Sequence, residues 1–92
     1  MTAREILSAP VGIVGDFNPG NVTHVATNSA LSHAGVRFEW VPTVEVLPPR
    51  PHERLDAYAG LFLAPGSPYR SMDGALSAIR FARERGVPLV GT

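Results

Sequence analysis

Pro10-Val11-Gly12-Ile13-Val14-Gly15-Asp16 is a short, β-branched run closed by a carboxylate, and its reading decides the architecture. A run this brief without polar alternation reads as a strand buried on both faces, which is how strands look inside a parallel sheet. Outward from it, the turn Phe17-Asn18-Pro19-Gly20-Asn21 leads into a helix with Thr23 read as N-cap. That helix runs to about His33 or Ala34, and Gly35 stands where a left-handed C-terminal cap is wanted. Val22, Val25, Ala26, Ser29, Ala30 and His33 fall on one helical face, the pattern of a stripe turned to a core. Val36 to Val41 reads as a second, half-exposed strand, with Phe38, Glu39 and Trp40 alternating.

Leu47-Pro48-Pro49-Arg50-Pro51 is an extended connector, followed by one helical turn near Glu53 to Tyr58. Gly60-Leu61-Phe62-Leu63-Ala64 is a third strand, and Pro65-Gly66-Ser67-Pro68-Tyr69-Arg70 a turn. The next helix opens near Ser71 to Asp73, with Ser71 as cap and Asp73 at the positive end of the dipole; Arg80, Arg83 and Arg85 gather near the negative end. Its predicted buried stripe is Ala75, Leu76, Ile79 and Ala82, and Gly86 stops it. Val87-Pro88-Leu89-Val90 opens a fourth strand.

Strand, helix, strand, connector, strand, helix, strand is the alternation of an α/β fold, since parallel strands need crossovers. Right-handed crossovers leave few topologies, and among them a flavodoxin-like three-layer arrangement with strand order 2-1-3-4 is the one expected here. The last strand then lies at an edge, although Val87, Leu89 and Val90 are apolar on both faces, as an interior strand would be. Residues 1-92 thus read as one partial domain whose sheet is incomplete, ending at Gly91-Thr92 on the carboxyl side of a central strand.

Composition narrows the function classes. A formal net charge of zero, with eight Arg scattered along the chain and no Lys, supplies no field for phosphate backbones or anionic lipid. No nucleic acid and no membrane are therefore expected as partners, and no apolar run approaches the roughly 20 residues of a membrane span. The start carries Arg4 and Glu5 without an apolar signal region, so the expected localisation is cytoplasmic. The absence of Cys removes thiolate metal sites and a thiol nucleophile from these 92 residues. His24 and His33 lie nine apart and His52 sits in the connector, so none has the spacing of a zinc helix and no metal site is expected.

Chemistry in such folds sits at the carboxyl ends of the strands. Gly12 and Gly15 lack the full dinucleotide spacing, and no phosphate-cradling Gly-x-x-x-x-Gly-Lys motif exists. Asp16, at the end of strand one, is a candidate for ligand binding or for capping the turn, while Tyr69 and Arg70 are candidate rim residues. Pro65-Gly66-Ser67 brings backbone to the rim ahead of a helix N-terminus, which suits an oxyanion hole as well as a plain chain reversal.

The stretch from Ala64 to Leu76, then Ala78 to Glu84, then Val87-Pro88-Leu89-Val90-Gly91-Thr92, resembles the class I glutamine amidotransferase domain of the CTP synthase family. Val11 to Asp16 and the helix carrying Asn28, Ala30 and Leu31 are similar to that domain's opening strand and helix. The resemblance implies that Gly66 and Ser67 match a Pro-Gly-Gly loop holding the glutamine carboxamide oxyanion, with Ser67 standing where Gly is usual and Pro68-Tyr69 replacing a Phe-Gly pair. It implies that Arg70 and Asp73-Gly74 match positions that brace the loop and cap the helix. Gly91-Thr92 match the first two positions of a Gly-x-Cys-x-Gly nucleophile elbow, which places the nucleophile at position 93, with the His and Glu of the triad further on. The family hydrolyses glutamine and passes ammonia to UTP in pyrimidine biosynthesis.

On this resemblance the 92-residue chain is an inactive fragment of an incomplete class I amidotransferase fold. An in-frame UGA read as selenocysteine would put a selenolate at position 93, the alternatives being a frameshift, a contig edge or a designed boundary. Glutamine is the implied ligand of the complete domain, and a synthetase domain or the remaining C-terminal half the implied partner. ATP and magnesium belong to the synthetase domain, and no cofactor is expected for this chain. The competing expectation is a non-catalytic flavodoxin-like module that binds a small ligand, or an interaction subunit that pairs its bare fourth strand.

Overall fold

The computed structural model describes residues 9–48, 52–64 and 69–91. Four parallel strands are joined by helices: β1 (Val11–Val14), α1 (Val22–His33), β2 (Phe38–Val41), a 3-10 turn (Thr43–Val46), α2 (His52–Leu55), β3 (Gly60–Leu63), α3 (Met72–Arg85) and β4 (Leu89–Gly91). The sheet order is β2-β1-β3-β4, as the alternation predicts. Ile13 stands opposite both Trp40 and Phe62, and Val14 opposite both Val41 and Leu63. β1 is therefore central, and Ile13 and Val14 have no exposed surface.

One face of the sheet carries the main core. Val14, Val41 and Leu61 pack with Val46, Leu55 and Tyr58 and with Ala78, Phe81 and Ala82 of α3. Tyr58 lies over Gly12, where a Cβ would come within 2.7 Å of the ring, and its hydroxyl donates to Glu39 at 2.8 Å. α3 begins at Ser71, whose hydroxyl accepts the Gly74 N–H, and ends at Gly86 in the left-handed region at φ 66°. Both caps are the expected ones.

The rotation of α3 differs from expectation. Ala75 and Ala82 are buried, but Leu76 is 55% exposed and Ile79 is half-buried, while Ala78 and Phe81 take the inward places. Gly74 explains the phase. Its α-carbon abuts the Thr43 carbonyl, so positions 74, 78 and 81, one helical face, are turned to the core and position 76 is turned away.

α1 differs in the same way. Its N-cap is Asn21 rather than Thr23, and the Asn21 side chain accepts from the Thr23 and His24 N–H groups. His24 is buried and Thr27, Asn28 and Leu31 are half-buried, whereas Val22, Val25, Ala26, Ser29, Ala30 and His33 are exposed. The inner face is polar because its polar atoms have partners. Asn28 accepts the Trp40 indole N–H at 2.7 Å, and His24 Nδ1 accepts the Asn18 N–H at 3.1 Å. Phe17, His24 and Trp40 rings pack together, which seats the Trp40 ring between β2 and the start of α1.

β4 forms the edge of the described sheet. Leu89 leans on the core, but Val90, beside Phe62, is 59% exposed.

Candidate functional site

In the order β2-β1-β3-β4 the crossovers from β1 and β3 depart to opposite sides, which opens a crevice beyond the carboxyl ends of those two strands. Asp16 stands there, two residues after β1 ends at Val14. Its Oδ1 accepts the Thr43 N–H at 3.1 Å, and its Oδ2 accepts the Thr43 hydroxyl and the Arg70 N–H, each at 2.8 Å. Thr43 Oγ1 then accepts the Ser71 N–H at 2.9 Å. Two side chains thus join the end of β1, the turn after β2 and the entrance to α3.

Tyr69 donates its hydroxyl proton to the Ala64 carbonyl at 2.7 Å, linking the residues on either side of positions 65–68. Burial and the charge of Asp16 push this phenol above its ordinary value, so it remains a donor. Arg70 is exposed on the rim. The predicted residues Asp16, Tyr69 and Arg70 are therefore brought together, whereas Gly66 and Ser67 lie outside the described residues.

Burial alone would raise the Asp16 carboxyl. The Arg70 N–H, the Thr43 hydroxyl and N–H, and the Arg70 charge outweigh it and hold the group below its ordinary value of 3.8. A folded-state value below the unfolded one contributes stability that is complete above about 3.8 and is lost as pH falls through the folded-state value. In urea titrations from neutral to acid pH, the midpoint gap between wild type and Asp16→Asn is expected to hold steady above that point and to narrow below it. A gap that widened with acid would show the opposite sign.

Thr43 is the contributor that sequence reasoning missed. It is fully buried, and its hydroxyl both donates to Asp16 and accepts from Ser71. The available signal was position: a hydroxyl residue two after the end of β2, at the same rim as Asp16.

Among the described residues no cluster of His, Asp or Glu is arranged to hold a metal ion, and no helix is long and apolar enough to cross a membrane. An open groove of about 590 Å³ lies between Pro10, Ser32, Val36, Arg37, Phe38 and Glu39. These residues precede or open β1 and β2, at the amino ends of the strands, so the groove gathers none of the rim residues. The geometry favours the rim.

No family model and no solved structure matches the chain. Curated relatives do. The chain is 32% identical over 87 residues to a CTP synthase of Staphylococcus carnosus, 32% to one of Acidiphilium cryptum and 30% to one of Pelotomaculum thermopropionicum. Each match takes in 88% of this chain and 16% of the relative's length. The chain is thus related to a region of CTP synthase, and spans about a sixth of the proteins it matches.

Proposed function

We propose that the chain is the opening part of a CTP synthase-like glutamine amidotransferase domain, supplying the rim on which the glutamine carboxamide is received. The observation that carries this reading is the set of bonds from Asp16 and Thr43 to Arg70 and Ser71 at the β1–β3 crevice, in a chain related to CTP synthase. On this reading Gly66 and Ser67 contribute backbone amides to the oxyanion formed as glutamine passes through a thioester. Tyr69 and Arg70 line the rim, and Asp16 braces it.

With no Cys among the 92 residues, the nucleophile, and the His and Glu that serve it, come from outside them. The ammonia released serves ATP-dependent amination of UTP in a cytoplasmic enzyme. ATP and magnesium bind its synthetase domain, so this chain carries no cofactor. Ammonia release from L-glutamine by the purified 92-residue chain is expected to equal the protein-free blank. Mixing with a polypeptide that carries the elbow and the remaining half is expected to restore it. Hydrolysis by the chain alone, or none from the mixture, would refute the division of labour.

A second reading, an interaction module, is favoured by the exposed Val90 on the edge strand. A cooperatively folding monomer at high concentration speaks against it, and self-association abolished by Val90→Lys speaks for it.

A further inference from the structure

Asp16 uses one carboxylate to hold backbone N–H groups 27 and 54 positions away in sequence. Both oxygens are engaged by donors, and all three donors come from segments that follow other strands. A neutral amide of the same shape is unable to reproduce this. With its oxygen toward Thr43 N–H, the NH₂ of an Asn faces the Arg70 N–H; flipped, it faces the Thr43 N–H. In either orientation one backbone donor meets another donor. The site is built for an anionic side chain.

We infer that Asp16 is a positioning residue for substrate recognition. By holding the Arg70 N–H directly, and the Ser71 N–H through Thr43, it sets where the chain enters α3, and glutamine recognition is lost when the carboxylate is neutralised. This role rests on the glutaminase reading proposed above. Asp16 touches no substrate atom in this scheme; it acts through the peptide units of residues 43, 70 and 71.

Arg70 and Tyr69 are the charged and titratable groups that face the carboxylate from the entrance to α3. Glu45, on the turn after β2, is bonded to Arg54. Glu84 lies exposed in the last turn of α3, away from this cluster, so Glu84→Gln is the matched control.

The experiment uses the ¹⁵N-labelled full chain, with L-glutamine as the probe. In Asp16→Asn, amide exchange at Arg70 and Ser71 is expected to quicken about tenfold or more while Ile13 and Val14 keep their wild-type rates. Glutamine affinity of wild type and of Glu84→Gln is expected to hold from about pH 6 to about pH 4 and to fall only as pH drops below 3.8, while that of Asp16→Asn is weak and flat over the range. A merely structural role would slow or quicken exchange without producing that profile.

Unchanged exchange at Arg70 and Ser71 in Asp16→Asn overturns the inference, as does a pH profile that the substitution leaves intact. Wild type that ignores glutamine at pH 6, with exchange still quickened in the variant, overturns the glutamine reading and this role with it, while leaving the bracing contacts demonstrated. The two failures are therefore distinguishable.

Discussion

Gly74→Ala is expected to disrupt the native packing of α3 against the turn after β2. A Cβ at this position would stand 1.8 Å from the Thr43 carbonyl oxygen and 2.6 Å from its carbon. Both atoms are backbone, so no side-chain rotation relieves the contact, and either α3 or the turn has to move. Movement of either pulls the Ser71 N–H away from Thr43 Oγ1 and the Arg70 N–H away from Asp16. In an exposed helix interior alanine would gain about 1 kcal/mol over glycine, but overpacking against fixed backbone sets about 4 kcal/mol or more against it. Thermal unfolding followed by circular dichroism is expected to show a Tm lowered by tens of degrees or no cooperative transition at all. A Tm equal to or above wild type would mean that helix propensity outweighs the close approach.

Phe81→Ala ranks next. Phe81 is 5% exposed in the cluster that unites α3 with Val14, Val41 and Leu61, and it is the largest apolar side chain that α3 contributes to that cluster. Its removal is expected to cost about 3–5 kcal/mol, against a total stability of about 5–15 kcal/mol for a domain of ordinary size. Leu76→Ala on the same helix, at a position 55% exposed, is expected to change stability by no more than about 0.5 kcal/mol. Urea unfolding of the two variants side by side reads the orientation of α3 directly. Equal losses, or a larger loss for Leu76→Ala, would place the buried stripe where sequence periodicity put it.

The strands and their order were legible because each is a short apolar run bracketed by Gly, Pro or a carboxylate, and because parallel neighbours demand crossovers. The ends of α3 were legible too, since Ser71 and Gly86 are the residue types that caps require. Helix rotation was not. Reading inward faces from hydrophobicity puts Leu76 inside and Asn28 outside, whereas the Gly74 approach and the Asn28–Trp40 bond set the opposite phases. Small and polar residues occupy inner faces here because close backbone contact and paired hydrogen bonds replace bulk.

At the rim, topology was enough to bring Asp16, Tyr69 and Arg70 to one crevice, as residues that follow β1 and β3. Thr43 escaped because its importance lies in bridging two partners that are 27 and 28 positions distant, and no local pattern encodes such a bridge. The role given to Gly66 and Ser67 rests on resemblance alone.

The central place of β1 has a consequence for biogenesis. It pairs with β2 on one side and β3 on the other, and both are synthesised after it. At about 5–20 residues per second, the roughly 50 residues that separate it from the end of β3 take the ribosome roughly 3–10 s to add. Throughout that interval this β-branched, largely buried stretch of the nascent polypeptide has no complete set of neighbours, which makes Val11–Val14 a segment in need of chaperone shielding during translation.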